Sequence, residues 1–315
     1  MTSFAGKSGM RYSPAMPSTA PMHPQITGIS SSFTEPAALQ PMPTRYAITV
    51  IAATLDTKDL TGLYGSKYVF SDCKVYPNVK EKLGEGRTIL FSGTPCQVGG
   101  LKAYLKQDYD NLYTIDNICH GAPSQKVWKE YLTELTQGRQ VKSITFRNKA
   151  NGWQHYRMVI KYTDGSEYNV DHDQDLYMRG FIDNIILREA CYHCKFKGIE
   201  TRQSDITLGD LWGAWDILPE MFDDKGTSLL IINSKKGRRL IDEIKDSITI
   251  SDVDEKQAIA WNVCAIRPSK PSLFRDRFIK EYKKSGELIP ALRKYATPGV
   301  SLKAYRKLYN MTHKG

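Results

Sequence analysis

Four cysteines in three separate parts of the chain place the strongest constraint on how it can fold. Cys96 lies in SGTPCQ, Cys119 in ICHG, and Cys191 and Cys194 in CYHC. Each motif stands where a predicted strand gives way to a loop or a helix. We therefore expect these side chains, far apart in sequence, to converge at one end of a sheet.

Four convergent thiolates are typical of an iron–sulfur site, and the pattern predicts a 4Fe–4S cluster held by these cysteines. A structural zinc ion and thiols that are inert or form a redox pair are the alternatives. Zinc usually takes its thiolates from two closely spaced pairs, whereas only Cys191 and Cys194 form such a pair here. The spacing favours the cluster. Cys73 and Cys264 lie outside the pattern and are interpreted as structural.

Composition narrows the class of protein. A chain of 315 residues, 41% hydrophobic, can bury the core of one large or two modest domains. Six cysteines without a secretory signal indicate a reducing compartment. No run of eighteen apolar residues occurs, so the sequence predicts a cytoplasmic protein that does not span a membrane.

The net charge of +10 is concentrated at the end of the chain. Residues 267–315 hold thirteen lysines and arginines against three acidic residues, while the rest is balanced. Because the basic residues do not accompany the cysteine motifs, the distribution argues against nucleic acid as a partner. It fits a docking surface for an acidic protein or a solvated helix face.

Residues 1–46 differ in character from everything that follows. They hold seven of the fifteen prolines, five of the nine methionines and one acidic residue, Glu35. Such a composition predicts disorder. We expect three regions: a disordered segment over 1–46, a domain over 47–265 that contains the four cysteines, and a basic helical tail over 266–315.

Hydrophobic periodicity predicts strand–loop–helix units interrupted by an antiparallel insert. The predicted strands cover residues 46–55, 88–91 and 112–118, three antiparallel segments between 143 and 170, and two later segments that end near residues 209 and 233. Predicted helices cover residues 79–83, the segment with Val98, Leu101 and Leu105, and a segment capped by Ser124. Further helices are predicted over residues 175–188 and after residue 234. Two tail helices follow, one with Phe274, Phe278 and Tyr282 and one with Leu302, Tyr305 and Tyr309. The fold class is α/β, with a mixed sheet, an antiparallel β-hairpin insert and C-terminal helices.

The SGTPCQ motif places Cys96 at the start of a helix. Unpaired N–H groups there lower the pKa of a thiol and favour anions such as a cluster or a flavin phosphate. An ordinary strand-to-helix turn with a buried cysteine is the alternative. Gly99 and Gly100 cost helix stability, so we expect a ligand or another backbone segment to approach closely there.

Three further motifs carry polar groups at strand ends. Arg147 and Lys149 in FRNKANGW suit phosphates or carboxylates, and a solvated hairpin edge is the alternative. Asp210 in DITLGDLWG could orient a ligand or bond a backbone N–H. The loop GSKY offers a lysine and backbone N–H groups.

Taken in order, GSKY, SGTPCQVGGLKAYL, CHGAPS, FRNKANGW, CYHCKFKG and DITLGDLWG closely resemble the family of the coenzyme F420 hydrogenase/dehydrogenase beta subunit. The resemblance implies an iron–sulfur flavoprotein oxidoreductase that exchanges electrons with a deazaflavin or another small acceptor, with a ferredoxin or sister redox subunit as partner. It implies a flavin, FAD rather than FMN, and assigns no catalytic residue. By resemblance, Cys96, Cys119, Cys191 and Cys194 match the family's cysteines, and the flavin-binding loops contain Gly65, Ser66, Lys67, Thr94, Gln97, Arg147, Lys149 and Asp210.

Two departures from that family concern the N-terminus. The chain has neither a ferredoxin-like module with dense cysteines nor the SGG segment and strand–helix unit that relatives place ahead of GSKY. The expectation is that residues 1–46 derive from a misplaced start or a shifted reading frame and that the flavin pocket is incomplete. A different class, a non-catalytic accessory or binding protein stabilised by zinc or an iron–sulfur cluster, is the alternative function.

Overall fold

The computed structural model describes residues 66–296 and the backbone of residues 51–53. Three sequence-based predictions lie outside these residues. They are the disorder of residues 1–46, the role of Gly65, and the last tail helix with Leu302, Tyr305 and Tyr309.

Two sheets organise the described residues. Their strands are β1 (Ile51–Ala53), β2 (Ile89–Gly93), β3 (Leu112–Asn117), β4 (Val141–Asn148), β5 (Arg157–Tyr162), β6 (Glu167–Asp171), β7 (Ile206–Asp210) and β8 (Ser228–Ile232). The larger sheet has the order β1-β2-β3-β7-β8, in which β2, β3 and β7 are parallel and the two edge strands are antiparallel. β4, β5 and β6 form the separate antiparallel sheet that the sequence predicts.

Helices cover these sheets and connect their strands. They are α1 (Tyr76–Gly84), α2 (Pro95–Leu105), α3 (Gln125–Thr136), α4 (Leu176–Ile182), α5 (Glu189–Tyr192), α6 (Ala214–Ile217), α7 (Lys235–Ile244), α8 (Glu255–Ala260), α9 (Arg275–Ser285) and α10 (Leu288–Tyr295), with 3₁₀ turns at Pro219–Met221, Lys245–Ser247 and Val263–Ala265. Ser124 caps α3 as predicted, because its Oγ accepts from the Val127 amide at 3.3 Å. None of the described helices has the length and apolarity needed to cross a bilayer. The mixed α/β fold with C-terminal helices is confirmed.

The helix predicted over residues 175–188 is wrong in its second half. α4 ends at Ile182, Asn184 adopts a left-handed φ of 58°, and Leu187 forms a β-bridge with Pro123. The three hydrophobic residues at 185–187 are all buried. Their burial in the core and the bridge to the preceding segment outweigh the helical periodicity.

The largest hydrophobic cluster lies between the antiparallel sheet and α3, α4, α9 and α10. Trp128 and Tyr177 meet at its centre, with ring centroids 4.9 Å apart. Leu288 and Leu292 of α10 are fully buried in the same cluster. The described part of the basic tail therefore packs into this core, while the boundary of a separate tail at residue 266 stays a prediction.

Candidate functional site

The first cysteine lies where β2 passes into α2. Thr94 is the N-cap, and its backbone N–H donates to Gln97 Oε1 at 2.9 Å in a capping box. Cys96 is the second residue of the helix, and its Sγ lies 3.2 Å from Thr94 Oγ1. The N-terminus of α2 therefore fixes the position of this thiol.

The second cysteine follows β3, which is the parallel neighbour of β2. Cys119 comes two residues after Asn117, the last residue of that strand. Because β2 and β3 run in the same direction, their carboxyl ends lie at one edge of the sheet. In open α/β sheets, ligands bind outside this edge.

The cysteine pair reaches the same edge by a different route from the predicted one. Cys191 lies on the short helix α5 rather than at the end of a long helix. The preceding segment is tied to the chain after Cys119, because the Arg188 amide donates to the carbonyl oxygen of Ala122 at 3.0 Å. Cys191 Sγ itself lies 3.9 Å from that oxygen.

A glycine allows this close approach. Gly121 has a φ of +147°, and a Cβ at this position would lie 2.8 Å from Leu187 Cδ1 and 3.3 Å from the Cβ of Cys191. Glycine adopts this backbone conformation without the steric strain that other residues incur. Gly121 therefore lets the Cys119 segment pass directly against the helix that carries Cys191.

The four thiols act electrostatically on one another. The pKa of the Cys119 thiol is raised to about 12, mainly by burial; the charge of Lys197 opposes this rise, and the charges of Cys96, Cys191 and Cys194 add to it. The pKa of Cys96 is also raised, first by burial and then by the charges of Cys194 and Cys191. The contacts at Gly121, Cys191 and Gly99 bring the three motifs near one another, although no group of three or more His, Cys, Asp or Glu side chains in the described residues is arranged closely enough to hold a metal ion.

The expectation that the helix terminus lowers the pKa of Cys96 is not met. Burial raises the pKa of this thiol, and the hydrogen bond with Thr94 lowers it by a smaller amount. Desolvation disfavours the thiolate more than the local donors stabilise it.

Gly99 and Gly100 are explained by contacts within the chain. A Cβ at residue 99 would lie 2.3 Å from Phe196 Cε1, and one at residue 100 would lie 2.9 Å from the hydroxyl of Tyr76. Phe196 belongs to the loop that follows Cys194. The double glycine thus lets this loop and α1 approach α2.

Two groups near Cys119 were not assigned to the site from the sequence. Lys197 Nζ donates to the carbonyl oxygens of Cys119 and Cys264. His120 has Nε2 3.3 Å from the carbonyl oxygen of Phe181 and Nδ1 3.4 Å from the Sγ of Cys264. Both ring nitrogens of His120 therefore contact protein atoms. Cys264, which the sequence analysis interprets as structural, lies beside the cysteine site.

The segment that follows the GSKY loop contacts the SGTPCQ turn. Gln97 Nε2 donates to Ser71 Oγ at 2.7 Å, and the amide of Phe70 donates to the Pro123 carbonyl oxygen at 2.8 Å. Burial lowers the pKa of Lys67 to about 8. Ser66 and Lys67 are both half-buried. Phe70 and Ser71 therefore lie beside the segments that carry Cys119 and Cys96.

Arg147 and Asp210, which the sequence analysis names as separate candidates, form an ion pair. Arg147 Nη1 lies 2.9 Å from Asp210 Oδ2, and both side chains are largely buried. The guanidinium also lies over the rings of Tyr156 and Trp153, at 4.8 and 5.2 Å. Asp210 ends β7, the parallel neighbour of β3, so the pair lies at the same carboxyl edge.

The remaining two candidates already have protein partners. Lys149 Nζ donates to the carbonyl oxygen of Lys225 at 3.0 Å. Gln97 is 4% exposed, and its amide is engaged by Thr94 and Ser71. Gln97 shapes the turn, whereas Lys149 lies at a more exposed edge.

These features define an α/β protein with four thiols and an Arg–Asp pair at the carboxyl edge of its parallel strands. Residues 86–256 match the family model for the C terminus of the coenzyme F420 hydrogenase/dehydrogenase beta subunit, and the chain belongs to this family. The match contains all four cysteines. Membership indicates a redox role like that of these beta subunits, with redox cofactors in general.

Comparison with other proteins adds little beyond the family. The curated proteins gave no match. One similar solved structure is a chain of the F420-reducing [NiFe] hydrogenase complex from Methanosarcina barkeri, with a TM-score of 0.40 and 16% identity over 78% of this chain and 77% of that one.

Proposed function

We propose that the protein is an iron–sulfur flavoprotein oxidoreductase. In this proposal Cys96, Cys119, Cys191 and Cys194 hold a 4Fe–4S cluster. Electrons pass between that cluster, a flavin and a deazaflavin such as coenzyme F420 or another small acceptor. A ferredoxin or a sister redox subunit is the protein partner. The observation that supports the proposal is the contact between the segments that carry the four cysteines, beside the carboxyl edge of the parallel strands.

The chemistry of the donor set fits an iron–sulfur cluster. Thiolate sulfur is the usual ligand of such clusters, and the four cysteines act on one another through their charges. Three half-buried segments supply them, which limits contact with water. When bound, the cluster would supply one-electron transfer, while the chain fixes its position and excludes solvent.

The flavin is assigned to the neighbouring loops. Backbone N–H groups at the N-terminus of α2 suit a phosphate group, and Thr94 and Gln97 hold that turn in shape. Lys67 lies on the adjacent segment, and together with Ser66 it would contact the same cofactor. FAD is preferred to FMN. When bound, the flavin would couple one-electron to two-electron chemistry.

Arg147 and Asp210 would line the other end of this edge. Their ion pair fixes the guanidinium against Tyr156, so its position does not depend on a ligand. A fixed cation can orient a carboxylate or phosphate of a small acceptor. Lys149, on the same strand end, adds a second positive charge near the surface.

Metal and flavin analysis of the protein tests this function. The full chain is purified under anaerobic conditions, reconstituted with iron and sulfide, and incubated with FAD or FMN. We expect about four iron and four sulfide per chain for a 4Fe–4S cluster, together with bound flavin. Bound zinc without iron, sulfide or flavin would support the metal-stabilised accessory protein instead.

A further inference from the structure

The ammonium group of Lys197 lies between the Cys119 and Cys264 segments. It donates to the backbone carbonyl oxygen of Cys119 and, at 3.1 Å, to that of Cys264. Lys195, two residues earlier in the same loop, is exposed. Of these two lysines, only Lys197 directs its charge toward the cysteine site.

The backbone around Lys197 is held on both sides. Thr201 Oγ1 donates to the Lys197 carbonyl oxygen at 2.8 Å, and the Gly198 amide donates to Ala265 at 2.9 Å. Before it, the Phe196 ring lies against Gly99 of α2. These contacts fix the position of the ammonium group with respect to the cysteine motifs.

The charge of Lys197 reaches the thiols themselves. Burial raises the pKa of all three thiols. The charge of Lys197 lowers the pKa of Cys119 and of Cys264, whereas the charge of Arg188 lowers the pKa of Cys96. Because Cys119 is half-buried, screening by water is weaker there than at the fully exposed surface. A cation in this position stabilises nearby negative charge, and a cluster gains negative charge on reduction.

We propose that Lys197 raises the reduction potential of the cluster by holding a positive charge beside Cys119. Lys197 is a positioning residue, which acts through Cys119 and its carbonyl group. Reduction adds one electron, taken from the redox partner, and no covalent bond or proton changes at Lys197. Charge and hydrogen bonds near the sulfur ligands are known determinants of cluster potential. This inference rests on the proposed function, because it requires the cluster.

Redox titration of reconstituted variants tests the inference. Lys197→Met removes the charge, Lys197→Gln removes the charge but keeps a hydrogen-bond donor, and Lys197→Arg keeps the charge. Lys195→Met is the matched control in the same loop. Iron and sulfide content is measured first, and the midpoint potential is then followed by electron paramagnetic resonance.

We expect Lys197→Met and Lys197→Gln to shift the midpoint to more negative values, with Lys197→Arg and Lys195→Met close to wild type. Loss of iron in both neutral variants with retention in Lys197→Arg would also support a role for the charge. Unchanged midpoints in the neutral variants, or loss of iron in all three Lys197 variants, would overturn it. A wild-type protein that binds no iron would instead refute the proposed function.

Discussion

The ring of Phe196 lies against the backbone of Gly99, so closely that a Cβ on residue 99 would come within 2.3 Å of it. This contact joins the loop after the cysteine pair to the helix that begins beside Cys96. Packing of this ring therefore helps to hold the two motifs together.

Gly99→Ala should destabilise the protein by about 1–3 kcal/mol, the usual effect of adding a methyl group to a tightly packed site. Phe196 must move to admit the methyl group, which also displaces the loop that carries Cys194. Urea unfolding of the apo protein measures the effect. Gly84→Ala is the control, because nothing lies within 4 Å of a Cβ at that glycine in α1. Equal stability of the two variants would contradict the packing argument.

Replacement of any of the four site cysteines by serine should remove most of the bound iron after reconstitution. The reason is that a hydroxyl is a much poorer iron ligand than a thiolate. Iron and sulfide per chain are the measurement. Cys73→Ser, at a cysteine outside the four, should retain wild-type iron, and so should Cys264→Ser. Full retention in one of the four variants would exclude that residue as a ligand.

Asp210→Asn should destabilise the protein because it leaves the Arg147 guanidinium largely buried beside a neutral partner. The Arg147 Nε atom already has no hydrogen-bond partner among the described residues. Since Asp210 is partly exposed, we expect a loss of about 1–3 kcal/mol. Asp72→Asn, in the exposed pair with Lys74, should change stability by less than about 1 kcal/mol. Chemical denaturation measures the free energy of unfolding of both variants. Equal losses in Asp210→Asn and Asp72→Asn would argue against a stabilising role for the buried pair.

Lys67 should make stability rise with pH between about 8 and 10.5. Burial lowers the pKa of Lys67 from 10.5 to about 8, so in this range the unfolded chain binds more protons than the folded one. The free energy of unfolding therefore increases with pH through this window. Since other groups also titrate there, the measurement is the difference between wild type and Lys67→Met at pH 7 and pH 9.5. The variant should be more stable than wild type at pH 7, by an amount that decreases at pH 9.5. A difference that does not change with pH would contradict the lowered pKa.

Local sequence patterns predicted most of the individual elements. The helix with Val98, Leu101 and Leu105 buries these side chains, and the alternation around Met158 and Ile160 marks a strand of the antiparallel sheet. These elements follow from periodicity and capping, which act over a few residues. The sequence also marked the four cysteines, because each motif lies where a periodic segment ends, and their role as cluster ligands stays a prediction.

Contacts between distant segments were decided only by the tertiary structure. The sequence gives no local signal that residues 185–187 leave the helix to meet Pro123, or that Lys197 reaches the carbonyl groups of Cys119 and Cys264. It likewise shows the need for a close approach at Gly99 without identifying Phe196 as the neighbour. The sequence alone determined most of the elements and pointed to the four thiols of the candidate site. Which side chains surround those thiols depends on packing between segments far apart in the chain, and this packing has no local periodicity.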